Sequence, residues 1–277
     1  MEPDNPNDVL TTLNQDVAQI WDQNADYWEQ RMGEGNDFHK LLIEPMQVKL
    51  LELQSGEVVL DAACGNGQFA RKMADLGAKV IAVDVSETMI EKAKARSAGY
   101  EARIEYRTVD CSNREQLLSL GQRMFDRIVC TMALMDMAEI QPLASAAARL
   151  LKTEGRLVFS LCHPCFNSGL TKHGVERHDI GGELVEEYFV RASQYADPMT
   201  TKGVAMVGQP VPQYYFHRPL CTLLGTFFAE GFVLDGLEEP TFGANANGAK
   251  LFEMVYQKIP PALVARLRLT GEARTVA

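Results

Sequence analysis

Val58-Val59-Leu60-Asp61-Ala62-Ala63-Cys64-Gly65-Asn66-Gly67 runs from an apolar triplet into a loop of small residues. A short apolar run opened by Gly56 fits a buried parallel strand. Gly65 and Gly67 let the backbone turn tightly and approach a ligand with no Cβ in the way. Beyond the loop, Phe69, Met73 and Leu76 form a helical stripe that stops at Gly77, a natural residue just past a helix end. Strand, glycine loop and helix together make the opening unit of a parallel α/β sheet, with helix N–H groups aimed at whatever occupies the loop.

The same alternation continues downstream. Val80 to Val83 reads as a second buried strand, followed by Ser86 as N-cap of a helix that carries Met89, Ile90 and Ala93 inward. Ile104 to Val109, Ile128 to Cys130 and Leu157 to Leu161 read as strands; Leu117 to Met124 and Pro142 to Leu151 read as helices. Five alternations in a row predict a sheet covered by helices on both faces. Upstream, Leu10, Leu13, Val17, Ile20 and Trp21 predict a helix over Asp8 to Met32, and Phe38 to Leu53 predicts a second, with Pro45 either bending it or marking its start. After Leu161 the period is lost: residues 162–216 are polar and rich in Gly, Pro, His and Tyr, as expected of a substrate cap with short strands of its own. A helix from Pro219 to Ala229 and a strand pair, Phe232 to Leu237 and Leu251 to Ile259, close the expected core. The expected division is N-terminal helices at 1–55, a core at 56–161, the cap at 162–216, the rest of the core at 217–259 and a tail at 260–277.

The chain has 277 residues, enough for a sizeable core without disulfides. Its net charge of −10, with no basic run, disfavours nucleic-acid and anionic-membrane partners and favours a small molecule. The acidic MEPDNPND opening does not read as a signal peptide, and no apolar stretch approaches a membrane span, so a cytoplasmic enzyme is expected. Nothing in the sequence bears on oligomeric state.

Ligands of such sheets bind beyond the carboxyl ends of the strands. The first strand ends in Asp61 and its loop, the second at Asp84, the third at Asp110, and the fourth runs into Cys130-Thr131-Met132. Asp84 lies nineteen residues after Gly65, where a carboxylate can accept hydrogen bonds from both hydroxyls of a ribose. Gly65-x-Gly67-x-x-Ala70 also fits the loose dinucleotide fingerprint. Asp61, however, sits four residues before Gly65, a poor place for a negative charge beside a pyrophosphate and a good one for an ammonium or sulfonium. Asp110 adds an acid suited to an adenine amino group. Each acid alone could be a strand-end residue satisfying turn amides; three after successive strands suit a cationic, phosphate-free nucleoside.

VVLDAACGNG, VIAVDVSETMI, TVDCSN and FDRIVCTMALMDM resemble motifs I to IV of the class I S-adenosylmethionine-dependent methyltransferases, and the resemblance extends over Asp22 to Ile259. Within that class the chain is similar to bacterial small-molecule methyltransferases of the methyltransferase-11 type. The W-x-x-x-A-x-x-W/Y element at Trp21 to Trp28, the HPCF-like segment at His163 to Phe166 and the His-Arg-Pro at His217 to Pro219 carry that likeness. The resemblance implies a Rossmann-like seven-stranded sheet, mostly parallel with an antiparallel last strand. It implies that Ala63 to Gly67 hold the methionine part of the cofactor, Asp84 its ribose, and Val85, Met89, Asp110 and Cys111 its adenine. Thr131 and Met132 would lie behind the sulfonium, with Tyr27 and Arg31 closing from the N-terminal helices. Ala63 departs from the commoner first glycine of motif I, and Lys152-Thr153-Glu154-Gly155 from a usual Lys-Pro-Gly-Gly turn.

The implied reaction is in-line displacement of the methyl onto a small O- or N-acceptor, for which the protein aligns the acceptor and removes a proton. His163 is the leading candidate base and His217 the second, each against the plainer reading of a hydrogen-bonded turn residue. His39, His173 and His178 read as solvated surface. Cys162-His163-Pro164-Cys165 reads as a turn, not a metal site, because four ligands at suitable spacing are not found. An NAD(P)-linked oxidoreductase and a non-catalytic cofactor-binding protein stay open as other readings.

Overall fold

The computed structural model describes residues 6–243 and 251–270. Strands β1 (Val58–Ala62), β2 (Lys79–Asp84), β3 (Ile104–Thr108), β4 (Phe125–Thr131) and β5 (Leu151–Cys162) alternate with α3 (Gln68–Asp75), α4 (Glu87–Arg96), α5 (Arg114–Leu118) and α6 (Gln141–Leu150). Helix α7 (Leu220–Ala229), β10 (Phe232–Glu238), α8 (Leu251–Val255) and β11 (Ala262–Leu269) complete the core. The seven-stranded sheet has the order β10-β11-β5-β4-β1-β2-β3, and only β11 runs against its neighbours. Successive strand residues face opposite layers. Val59, Val80, Ala82, Val129, Val158 and Val264 pack on one face under α3 and α2 (Glu44–Leu51). Leu60, Ile81, Ile128, Leu157, Phe159 and Leu267 pack on the other with α6 and α7. Ser86 caps α4 by accepting from the Met89 N–H, as its position predicts.

The expected strand at Leu251 to Ile259 is corrected: α8 occupies its first half, and the final strand is β11, inside the segment read as a tail. Pro260-Pro261 cannot extend either a helix or a hydrogen-bonded ladder, so the ladder starts only at Ala262, which pairs with Cys162. The expected helix at Leu117 to Met124 is the shorter and earlier α5, which Asn113 caps by accepting from Gln116 N–H. Phe38 to Leu53 divides into a π-helical segment, Phe38–Ile43, and α2, with Pro45 in the first turn of α2, where its missing N–H costs nothing.

Residues 162–216 form two antiparallel ribbons. Strands β6 (Thr171–Ile180) and β7 (Glu183–Ala192) pair along their full length and stand largely exposed, while β8 (Met199–Gly203) and β9 (Gln213–His217) lie over the sheet. Helix α1 (Pro6–Met32) packs against α4 and β9 and is tied down at several points. The Asp22 carboxylate accepts from Ser86 Oγ at 2.6 Å and Thr88 N–H at 3.3 Å, and Asp26 pairs with Lys92. Asn24, fully buried, exchanges two hydrogen bonds with the Val211 backbone, at 2.9 and 3.0 Å.

Candidate active site

A cavity of about 800 Å³ opens where β1 to β5 end, roofed by α1, the π-helical segment and the β8–β9 ribbon. Asp61, Ala63, Gly65, Asp84, Val85, Met89, Asp110, Cys111, Thr131 and Met132 all line it. The loop that follows β1 is held open by its own neighbours. Cys64 N–H donates to the Val83 carbonyl at 2.9 Å, and Asp84 accepts from Gly65 N–H at 2.9 Å and Ser86 N–H at 3.0 Å. Gly65 adopts φ +53°, and a Cβ there would point into open space, the space a ligand would take. Gly67 serves the loop from behind: at φ +75° its Cα faces Tyr106, and a Cβ would fall 2.2 Å from the tyrosine oxygen. Met132 also takes a left-handed φ of +53°, fixed by its N–H donating to Ser160 O and Oγ.

Asp61 is fully buried and neither carboxylate oxygen has a protein partner. Burial, with the nearby Asp84 charge second, pushes its carboxyl up to about 8. Trp28 Nε1 is likewise buried without a partner, and its ring meets Trp21 edge-on at 5.2 Å. A buried acceptor and a buried donor left unmatched in one cavity are what a site built for a polar ligand looks like before the ligand arrives. Asp110 turns one oxygen back on Ser112, accepting from its N–H at 2.8 Å and its Oγ–H at 2.6 Å.

Tyr27 and Arg31 do not line the cavity, contrary to expectation. Tyr27 donates its hydroxyl to the Val207 carbonyl, and the Arg31 guanidinium lies 5.4 Å over its ring. The α1 residues that do face inward include Asn14, Val17, Trp21, Trp28 and Met32. Their spacing follows the helical period, so continuing the Val17 and Trp21 stripe already led to Trp28 and Met32. His163 is also misplaced as a base. It is buried outside the cavity lining, Nδ1 accepts from Cys165 N–H at 3.1 Å, and Nε2 therefore carries the proton toward Glu239 at 2.8 Å. Its lone pair is committed to a turn. His217 does line the cavity; its Nε2 must donate to the Tyr195 carbonyl at 2.9 Å, so Nδ1 keeps the lone pair and meets no partner among the described residues. His39 is not surface either: it lines the cavity, and burial pushes its imidazole down to about 4. His173 meets Tyr256 Oη at 2.6 Å, and only His178 stays on the open ribbon.

Asp136, which the sequence reading quoted without assigning, is the further acid of the cavity. It sits in a short 3-10 turn, Leu134–Asp136, is 8% exposed, and accepts from Gln213 Nε2 at 3.1 Å. A lone acid between Ala133-Leu134-Met135 and Met137 was the available signal. Arg218 stands nearby in sequence to His217 and donates to four backbone carbonyls, of Leu134, Phe216, Met137 and Ala138, which locks the end of β9 to the loop after β4.

Residues 59–155 match the family model described as a methyltransferase domain. The ubiquinone biosynthesis O-methyltransferase of Coxiella burnetii is 33% identical over 159 residues, 56% of this chain and 65% of that relative's length. A solved S-adenosylmethionine-dependent methyltransferase from Mesorhizobium loti is 25% identical with a TM-score of 0.64, over 81% of this chain and 96% of that one. The CcbJ methyltransferase from Streptomyces caelestis shares the fold at 18% identity and a TM-score of 0.60, over 92% and 99% of the two chains. The strand order, the motif-bearing strand ends and these likenesses agree: residues 59–155 form a methyltransferase domain, in a chain whose fold is similar to that of solved S-adenosylmethionine-dependent methyltransferases.

Proposed function

We propose that the chain is an enzyme that moves the methyl group of S-adenosylmethionine to a small-molecule O- or N-acceptor. The observation that carries this reading is Asp61: a fully buried carboxylate with no protein partner, at the mouth of a glycine loop, needs a cation. The amino group of the cofactor's methionine part meets that need, and a pyrophosphate does not, which disfavours the oxidoreductase. When bound, the cofactor supplies an electrophilic methyl on a sulfonium. Asp61 and the Ala63 to Gly67 loop bind its amino-acid end, Asp84 accepts from its ribose hydroxyls, and Val85, Met89, Asp110 and Cys111 enclose its adenine. Thr131 and Met132 close the rear wall, where Gln47 Nε2 donates to Thr131 Oγ1 at 3.0 Å. Trp28 Nε1 donates from α1, taking the place given to Tyr27 and Arg31 in the sequence reading. His217, with a free Nδ1, removes the acceptor's proton; His163 holds the turn after β5.

No helix among the described residues is long and apolar enough to cross a membrane. With a net charge of −10, the reading places the enzyme in the cytoplasm, working on metabolites and not on nucleic acid. Calorimetric titration with S-adenosylhomocysteine and with NADH separates the readings. We expect binding of the first, weakened at least tenfold by Asp84→Asn, and none of the second; binding of NADH alone overturns the proposal. For any acceptor found by labelled-methyl transfer, His217→Ala lowers kcat by about 100-fold or more.

A further inference from the structure

Besides the three strand-end acids, Leu161, Met135, Met137, Tyr215, Phe216 and Leu223 line the same cavity. Asp136 is an acid of that lining, and its surroundings have a fixed polarity. Ala205 N–H can only donate, and it donates to Gln209 Oε1 at 3.2 Å. Gln209 must therefore present its NH2 to Gln213 Oε1, at 3.1 Å, and Gln213 must present its own NH2 to Asp136 Oδ1. One backbone N–H thus sets two amides in series and hands Asp136 a donor. The other carboxylate oxygen, Oδ2, has no partner among the described residues.

Among the described residues no cation offsets this acid. The groups that face it from neighbouring elements are Cys130 on β4, Cys162 on β5 and Tyr215 on β9, and burial raises the pKa of each, which leaves them uncharged. The two cations of the cavity lining are both engaged elsewhere: Arg218 on its four carbonyls, and Lys202 over the Tyr214 ring at 4.1 Å. A buried carboxylate supplied with a hydrogen-bond donor and left without a counter-charge is an incomplete ion pair. The apolar and aromatic walls around it suit the body of a compact organic molecule and the face of a cation.

We propose that Asp136 binds a protonated amino group of the methyl acceptor, so that the enzyme's substrates are amines with a largely apolar body, and that Gln213 is the positioning residue that keeps Asp136 ready to accept. This rests on the methyltransferase reading and adds the acceptor's class to it.

The test uses the full chain saturated with S-adenosylhomocysteine and calorimetric titration of matched pairs: 2-phenylethylamine against 2-phenylethanol, and tryptamine against tryptophol. At pH 8.5 an amine of the panel binds at least tenfold tighter than its alcohol. Asp136→Asn removes that preference and leaves the affinity for S-adenosylhomocysteine unchanged. Burial pushes the Asp136 carboxyl up to about 8, so amine affinity rises as pH climbs through that value; in Gln213→Met, which loses the donor, the rise moves to higher pH. This shift is a readout that a merely structural glutamine would not move. If S-adenosylhomocysteine binds but no amine outbinds its alcohol, or if Asp136→Asn keeps the preference, the proposal is overturned. If S-adenosylhomocysteine does not bind, the methyltransferase reading itself fails.

Discussion

Ala63 takes φ +58° at the turn where the family more commonly has glycine. A left-handed conformation costs an L-residue about 1–2 kcal/mol, while glycine loses about 0.5–1 kcal/mol in unfolded-state entropy. Ala63→Gly is therefore expected to stabilise the protein by roughly 0.5 kcal/mol, read as a raised urea midpoint at constant slope. Gly67 gives the opposite outcome. Its Cβ would lie 2.2 Å from Tyr106 Oη and 2.9 Å from Cζ, so Gly67→Ala must displace the loop. We expect S-adenosylhomocysteine affinity to fall at least tenfold, and Tyr106→Phe not to restore it, because the ring carbon still collides. These two positions were legible as a glycine-loop pattern. The missing counter-charge at Asp136 was not, because it depends on residues 209, 213 and 218, which only the fold brings beside residue 136.

At the level of elements, α1 and the β8–β9 ribbon meet through Asn24, which makes both of its bonds to one residue, Val211, of the loop before β9. Asn24→Ala leaves the Val211 N–H without a partner in a part-buried setting, while the Val211 carbonyl keeps Gln209 Nε2 at 2.8 Å, a loss of about 1–2 kcal/mol. Its effect is expected to be local: faster amide exchange across residues 204–212 and weaker cofactor binding, with exchange in β1, β4 and β5 unchanged. Uniform loss of protection would refute a local clamp. The five strand–helix units were readable because each buries a continuous apolar run, as parallel strands do. The C-terminal strand was not. Leu251-Phe252-Glu253-Met254-Val255-Tyr256 is apolar enough to pass for a strand, whereas β11 carries Arg266 and Arg268. Arg266 is tolerated because its side chain lies on the face covered by α2, donating to the Leu50 carbonyl at 3.2 Å and pairing with Glu52 at 2.7 Å and Asp235 at 2.8 Å. Those partners lie far away in sequence and give no local signal.

For the whole molecule, the buried acids without counter-charges weigh on how stability responds to pH, Asp61 and Asp136 most of all. Asp61 and Asp136 each have a folded-state pKa of about 8 against an ordinary 3.8. Between those values the folded protein holds protons that the unfolded chain has released, so what these two acids contribute to stability is full below about pH 4 and is lost as pH rises toward 8. His39, whose imidazole is pushed down to about 4, offsets this in part, contributing in the opposite sense up to about pH 6.5. The slope approaches ~1.4 kcal/mol per pH unit for each acid. Urea titrations of the ligand-free protein at pH 5.5 and 7.5 should show the lower midpoint at pH 7.5, and the double variant Asp61→Asn/Asp136→Asn should flatten the difference. A ligand-free protein more stable at pH 7.5 would contradict this account of the cavity. The sheet order has a different kind of consequence. Strand β11 is the last described strand to be made, yet it sits between β5 and β10. During synthesis, β5 emerges with one flank unclaimed, and over a hundred residues pass, on the order of ten seconds of translation, before its antiparallel neighbour exists. Until then an apolar strand offers an open edge to other nascent chains. The danger of misassembly is therefore governed by ribosome pace and chaperone cover over that interval, quantities that the stability of the finished sheet does not report.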